Sequence, residues 1–361
     1  MKIKTQLAAL KPYDPGMSPE EIKHKYGLAK VVKLDANENP YGCSELVRKV
    51  ITQSSYDIAL YPDGASEDLR NHLSARLKVD RQSLLFGNGL DEVIQIISRA
   101  TLTSESNIVM AAPTFSQYRL HAVIEGAEVR EVKTANGRHD LNGMLKQIDD
   151  KTRVVWVCNP NNPTGTYVGE TEFKAFLEKV PSQSLVVVDE AYIEYVTAAD
   201  YPDTLSMLDG YSNLLILRTF SKAYGLAGLR IGYAIGQPEL IQSLETTRLP
   251  FNTSSLAQRA AIAALDDEAF INQCARRNRE ALEIMTRFCD TSGLDYYPSQ
   301  TNFLFIKTDE SQRIYEGLLS KGFVTRPFPD GLRITMGRKD DLKELLSHFG
   351  HLIDHPLEKT S

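Results

Sequence analysis

The sequence predicts an α/β protein built on a mainly parallel sheet, followed by a smaller α+β unit. Val154-Val155-Trp156-Val157 and Leu185-Val186-Val187-Val188 are uninterrupted apolar runs rich in β-branched residues, without polar alternation. That is the pattern of strands buried on both faces. Between such runs lie stretches with helical spacing, so strand and helix alternate along the first two thirds of the chain. After about residue 255 this texture gives way to a charged, helix-rich stretch from Ala257 to Phe288.

In chain order, residues 1–32 carry Pro12, Pro15, Gly16 and Pro19, then a short helical stretch from Glu20 to Tyr26, and read as an arm. Val31-Val32-Lys33-Leu34 suits a short strand running into the turn-rich Asn37-Glu38-Asn39-Pro40-Tyr41-Gly42. Leu69, Leu73 and Leu77 mark one face of a helix after the Tyr61-Pro62-Asp63-Gly64 turn. Leu84-Leu85-Phe86 leads through Gly87-Asn88-Gly89 into a helix with Val93, Ile94 and Ile97. Asn107-Ile108-Val109-Met110 leads to Pro113 and another helix, and Asn213 to Leu217 is a further buried strand. In the last third, Asn302 to Ile306 and Leu332 to Thr335 read as strands around an amphipathic helix near Ile314 to Leu319. The division this suggests is a large domain over 33–255 and a smaller one formed by 1–32 with 256–361, of which His355 to Ser361 is a polar tail.

The bulk numbers exclude several function classes. At 361 residues the chain exceeds one ordinary domain, and 42% hydrophobic against 24% charged residues exclude general disorder. A formal charge of -6 leaves no basic footprint, so nucleic acid is not an expected partner. Cys43, Cys158, Cys274 and Cys289 are scattered without Cys-x-x-Cys spacing, which points to free thiols rather than metal or disulfides. The apolar run after the basic Met1 to Thr5 is too short for a signal peptide, and no segment approaches a membrane span. A cytoplasmic protein without a membrane partner is the expectation.

Lys222 is the residue that carries chemistry. It follows the Asn213 to Leu217 strand, with the hydroxyls of Thr219 and Ser221 just before it and the guanidinium of Arg230 eight positions later. Pyridoxal phosphate needs an amine to condense with its aldehyde and separate donors for its phosphate, and a lysine can both hold it and shuttle a proton. A lone Ser-Lys pair after a strand is ordinarily just an exposed lysine; three other segments change that balance. Asp189 ends the Leu185 to Val188 strand, on the side of an open α/β sheet where ligands bind. Paired with a pyridine nitrogen, its carboxylate would keep that nitrogen protonated; capping a helix is its other use. In Asn159-Pro160-Asn161-Asn162-Pro163-Thr164-Gly165, two prolines and a glycine fix the backbone so that Asn162 can donate to the ring phenolate oxygen, with Tyr192 as a second donor. Gly87-Asn88-Gly89-Leu90-Asp91 offers a glycine turn and a helix N-terminus to an anion, although a tight strand-to-helix turn explains the glycines equally well. Phe115 is a candidate to stack on the pyridine face, or an ordinary core aromatic.

Together these segments resemble the fold-type I, aspartate-aminotransferase-like family of pyridoxal phosphate enzymes. The resemblance runs from Leu10-Lys11-Pro12-Tyr13 to Leu332-Arg333-Ile334-Thr335, and Asn37 to Pro40 with Tyr61 to Asp63 narrow it to the branch that acts on histidinol phosphate. It implies a large domain with a mainly parallel seven-stranded sheet between helices, and pyridoxal 5'-phosphate held on Lys222. By the same likeness Asp189, Asn162 and Tyr192 would contact the ring. Ser221, Arg230 and the amides of Leu90 and Asp91 would hold the phosphate. The family's glycine loop often has Ser where this chain has Leu90, but a backbone amide does not depend on its side chain. A homodimer is implied, with Tyr61 crossing to the cofactor phosphate of the neighbouring site. Arg333 matches the substrate-anion arginine, able to grip a carboxylate or a phosphate; Arg326 could be a second, and Tyr13 falls near the substrate phosphate.

The reaction implied is a ping-pong transamination between L-histidinol phosphate and 2-oxoglutarate, giving imidazole-acetol phosphate and L-glutamate in histidine biosynthesis. An aromatic aminotransferase acting on phenylalanine or tyrosine fits the same pocket, a flat ring at one end and an anion at the other. A decarboxylase of a phosphorylated amino acid is a third reading. A cofactor-binding regulator would need an appended DNA-binding helix pair or a missing lysine, and the sequence has neither.

Overall fold

The computed structural model describes residues 3–12, 16–53 and 58–354, so that Tyr13 and the tail from His355 lie outside the described residues. Seven strands form the central sheet in the order Leu84–Gly87, Gly232–Gly236, Leu214–Thr219, Leu185–Asp189, Thr152–Cys158, Asn107–Ala112 and Glu128–Lys133. The last five are mutually parallel, and only Gly232–Gly236 runs against its neighbours on either side. Val155, Val157, Val186 and Val188 pack on one face with Phe173, Phe176, Ala257 and Ala260. Val154, Trp156 and Val187 pack on the other with Ile94, Ile97, Tyr118 and Ile241. Double-sided burial is the reason these strands show no polar alternation, each valine contributing about 1.5–3 kcal/mol.

The edge strand Glu128–Lys133 was not apparent in the sequence. It mixes exposed and half-buried residues, four of its six carrying charge. Charges of this kind protect a sheet edge from further pairing.

A second, antiparallel sheet has the order Arg326–Phe328, Gly331–Thr335, Phe303–Lys307 and Tyr296–Tyr297. Leu304, Ile306, Leu332 and Ile334 enter a core with Ala281, Met285, Leu342 and Leu345. By the two-residue period of a strand, Phe303, Phe305, Arg333 and Thr335 point to the opposite face. Arg326 lies on the far arm of a hairpin, directly opposite Arg333. Pro327 is accommodated there because its strand is an edge.

The N-terminal segment is tied to this second unit. Val32–Lys33 pairs in parallel with Phe323–Val324. Helix Pro19–Tyr26, closed by a Ser18/Glu21 capping box, buries Ile22 against Leu319 and Val324. The charged stretch from Ala257 resolves into two helices, Ser255–Leu265 and Glu268–Thr291. The four cysteines are free thiols. Among the described residues no helix is long and apolar enough to cross a membrane, and no group of three or more His, Cys, Asp or Glu could hold a metal.

Beneath the carboxyl edge of the large sheet lies a buried ion pair. Glu190, fully buried, accepts from Arg218 Nη2 at 2.8 Å and Nε at 2.9 Å, and from Thr204 Oγ1 at 2.7 Å. Truncating one partner of such a pair leaves the other charged and desolvated. Glu190→Ala is therefore expected to cost about 3–5 kcal/mol, read as a lowered urea midpoint at unchanged slope. A midpoint equal to that of the parent chain would show the guanidinium does not depend on this carboxylate.

Candidate active site

Five loops leave the carboxyl ends of the parallel strands on one edge of the sheet, at Gly87, Ala112, Cys158, Asp189 and Thr219. Every side chain singled out in the large unit except Tyr61 and Arg230 belongs to one of them, and Arg230 enters the same edge just before Gly232–Gly236.

The Lys222 loop is a tight turn. Thr219 Oγ1 accepts from the Ser221 amide at 3.0 Å, and the amides of Gly225 and Leu226 donate to the carbonyls of Lys222 and Phe220, both at 3.0 Å. Gly225 sits at φ 72, and a Cβ there would lie 1.9 Å from the Gly42 carbonyl. Only glycine lets this turn press against the Asn39–Gly42 turn. Lys222 Nζ donates to the Ala36 carbonyl at 3.0 Å and stands 5.9 Å from the centre of the Tyr192 ring. Burial, helped by Arg333, lowers its pKa to about 8, with Glu38 opposing. An amine tuned this way has an appreciable neutral fraction near pH 7, and the neutral form is the one that attacks a carbonyl or takes a proton.

Asp189 is 3% exposed. It accepts from Tyr118 Oη at 2.6 Å and from the Ala191 amide at 3.1 Å. Burial nevertheless pushes its pKa up to about 6. A buried carboxylate held by neutral donors lacks a cation, and a protonated ring nitrogen is the partner that would complete it. Tyr118 stacks on Trp156 at 4.4 Å, and Phe115 meets Tyr118 edge-on at 5.6 Å, which sets its ring over the same corner. Tyr118 carried no signal in the sequence; it reads as one more helix residue.

The Asn-Pro loop is latched by two of its asparagines so that the third is presented. Asn159 exchanges two hydrogen bonds with the Val168 backbone, at 2.8 and 3.1 Å. Asn161 donates to the Pro113 carbonyl and to Thr164 Oγ1, and accepts from Thr114 Oγ1. Asn162 Oδ1 accepts from Arg333 Nη1 at 2.5 Å, so its own N–H groups are left for the cleft. Arg333, 7% exposed, also donates to the Asp35 carbonyl and stacks its guanidinium 5.3 Å from the centre of Phe303. The second sheet thus hands its arginine to the edge of the first.

Gly89 is the N-cap of the 12-residue helix Leu90–Thr101 and has no side chain to cap it. The first-turn amides, those of Leu90 and Asp91, remain for an anion. A Cβ at Gly89 would lie 2.3 Å from the Arg230 guanidinium, so the glycine makes room for that cation. Arg230 pairs with the Asp91 carboxylate at 3.2 Å, and both charges act on Lys222. Ser221 is buried at the start of the Lys222 turn. Amine, lone carboxylate, amide donors and anion cradle suit the ring, oxygen and phosphate of the cofactor implied by the sequence.

Two candidates are not brought to the cleft within one chain. Tyr61 is 81% exposed and stacks on Phe251 at 4.7 Å. Arg326 is exposed on the edge strand.

The model of the aminotransferase class I and II family matches residues 29–349. The chain belongs to that family. Among aminotransferases, it is 53% identical over 365 residues, covering 99% of each chain, to a histidinol-phosphate aminotransferase of Bacillus cytotoxicus. It is 54% identical to one of a Geobacillus species, covering 96% of each chain. A solved histidinol-phosphate aminotransferase of Sinorhizobium meliloti, in complex with pyridoxal-5'-phosphate, superposes with a TM-score of 0.91 at 27% identity, over 99% of this chain and 98% of that one. As an aminotransferase the chain has the fold its sequence implied, a mainly parallel seven-stranded sheet between helices with a smaller α+β unit.

Proposed function

We propose that this chain is a pyridoxal-phosphate-dependent aminotransferase exchanging an amino group between L-histidinol phosphate and 2-oxoglutarate, a step of histidine biosynthesis. The observation that carries this is likeness at 53% identity, end to end, to a histidinol-phosphate aminotransferase. When bound, the cofactor supplies an electron sink for the carbanion at the substrate carbon.

In this reading Lys222 holds the cofactor and moves the proton at the substrate carbon that bears the amine. Asp189 keeps the ring nitrogen protonated, Phe115 covers the ring, and Asn162 and Tyr192 donate to the ring oxygen. Ser221, Arg230 and the amides of Leu90 and Asp91 take the phosphate. Arg333 exchanges its contacts with Asn162 and Asp35 for the substrate anion, the carboxylate of glutamate in one half-reaction and the phosphate of histidinol phosphate in the other. Arg326, directly across the hairpin from Arg333, adds a second positive charge on the same side.

The active assembly in this proposal is a homodimer, with Tyr61 of a second copy closing the phosphate site. Exposed apolar side chains around it, Ile58, Leu60, Leu249 and Phe251, support such a contact. The large domain proposed over 33–255 also takes in helix Ser255–Leu265, whose Ala257 and Ala260 pack in its core, and the cleft forms where it meets the smaller body of the N-terminal segment and the later residues. A cytoplasmic location completes the reading.

The test is a comparison of kcat/KM for histidinol phosphate and for phenylalanine as amino donors to 2-oxoglutarate. A preference of roughly a hundredfold or more for histidinol phosphate is expected, because donors placed for the three oxygens of a phosphate are left partly unpaired by the two of the phenylalanine carboxylate. Equal or reversed values would make the chain an aromatic aminotransferase instead.

A further inference from the structure

We infer that Asn37 is a positioning residue: it aims the Tyr192 hydroxyl proton into the cleft, and does so only while the strand that carries Arg333 is docked. Asn37 is 2% exposed and sits at φ 57, a left-handed conformation that asparagine adopts more readily than most non-glycine residues. Its backbone N–H and carbonyl, its amide oxygen and its amide nitrogen each make a hydrogen bond. Its N–H donates to Thr335 Oγ1 at 3.1 Å, its Oδ1 accepts from the same hydroxyl at 2.9 Å, its Nδ2 donates to Tyr192 Oη at 2.9 Å, and its carbonyl accepts from Asn302 at 3.0 Å.

These bonds have a direction. Thr335 Oγ1 accepts from a backbone N–H, which can only donate, so its own hydrogen goes to Asn37 Oδ1. The amide is thereby oriented with Nδ2 toward Tyr192. The tyrosine oxygen receives that N–H, and its hydrogen is left for an acceptor in the cleft. Thr335 lies two residues beyond Arg333 in one strand and on the same face. The substrate-anion strand and the ring donor are therefore joined through one amide. The charged and titratable groups facing Tyr192 include Lys222, Arg333, Asp189 and Cys158, and of these Lys222 is the one whose charge the proposed reaction changes.

The inference rests on the proposed role of Tyr192 as donor to the ring oxygen, and the experiment separates the two. In the holoenzyme, the pH midpoint of the visible absorbance reports the proton on the nitrogen that Lys222 shares with the cofactor, and a donor to the ring oxygen lowers it. Tyr192→Phe should raise the midpoint by roughly one pH unit; no movement overturns the role of Tyr192 itself. Asn37→Gly suits the positive φ and removes the amide donor without adding a charge. It should raise the midpoint toward that of Tyr192→Phe, and add nothing when combined with it. With Tyr192→Phe shifted, an unmoved midpoint in Asn37→Gly, or a full extra shift in the double variant, overturns the relay. If Asn37→Gly does not fold, Thr335→Val and Thr335→Ser probe the same bonds from outside: valine should raise the midpoint and serine restore it, and equal midpoints overturn the proposal.

Discussion

Lys222→Ala is expected to eliminate turnover, with kcat lower by roughly 10⁴-fold or more, and to abolish the visible absorbance of the cofactor joined to its nitrogen. The size of the effect follows from the two tasks proposed for one amine, covalent attachment and proton transfer, neither of which a neighbour can take over. Arg333 shares the cleft, but a guanidinium stays protonated at any working pH and cannot accept the proton. Lys222→Arg should accordingly fail as completely as Lys222→Ala, even though it keeps the charge. The fold should survive both. The amine is disfavoured in its charged form by burial, with a pKa near 8 against an ordinary 10.5. A base whose folded pKa is depressed makes stability rise as pH climbs from about 8 to about 10.5, because the unfolded chain binds more protons there. The cofactor-free parent should show that rise and Lys222→Ala should lack it, which checks the burial independently of activity. Normal turnover in Lys222→Ala would remove Lys222 from the chemistry.

What the sequence disclosed and what it hid divide along physical lines. Val154 to Val157 and Leu185 to Val188 were legible because burial on both faces forces unbroken apolar runs. Glu128–Lys133 was hidden by the charges that guard an edge, and Arg326–Phe328 by a proline that an edge strand tolerates. At the site, Lys222, Asp189 and Asn162 could be found because each follows a recognisable strand on the side where such sheets bind ligands. Their supports could not. Tyr118 reaches Asp189 from 71 residues away, Asn37 reaches Tyr192 across 155, and Arg333 reaches Asn162 across 171. A contact of that range leaves no periodicity and no spacing to read. It exists only once the second sheet has turned its Arg333 and Thr335 face toward the first.

Asp189→Asn should change stability and activity in opposite directions. Without cofactor the carboxylate is buried between neutral donors, and its pKa of about 6 lies above the ordinary 3.8. For an acid raised on folding, the cost of the charged form is absent below the unfolded value and fully present above the folded one. The parent chain therefore loses stability as pH rises through 4 to 6, and the amide variant does not. A shift of about two pH units corresponds to at most about 3 kcal/mol, so at pH 8 the cofactor-free variant should be the more stable of the two. Asparagine can preserve the local bonds, its oxygen accepting from Ala191 and its amide donating to Tyr118. In the loaded enzyme the same change would remove the anion proposed to keep the ring nitrogen protonated, and turnover should fall roughly 10² to 10³-fold, the scale seen when one preorganised electrostatic partner is lost. Thermal or urea unfolding of the two apo-proteins between pH 4 and 8, beside single-turnover rates of the loaded ones, reads both effects. Identical pH–stability profiles would mean the carboxylate is solvated after all, and unchanged turnover would assign the ring nitrogen to some other partner. A variant that is firmer when empty and slower when loaded would show that Asp189 is kept at a cost to the empty fold because the cofactor needs its charge.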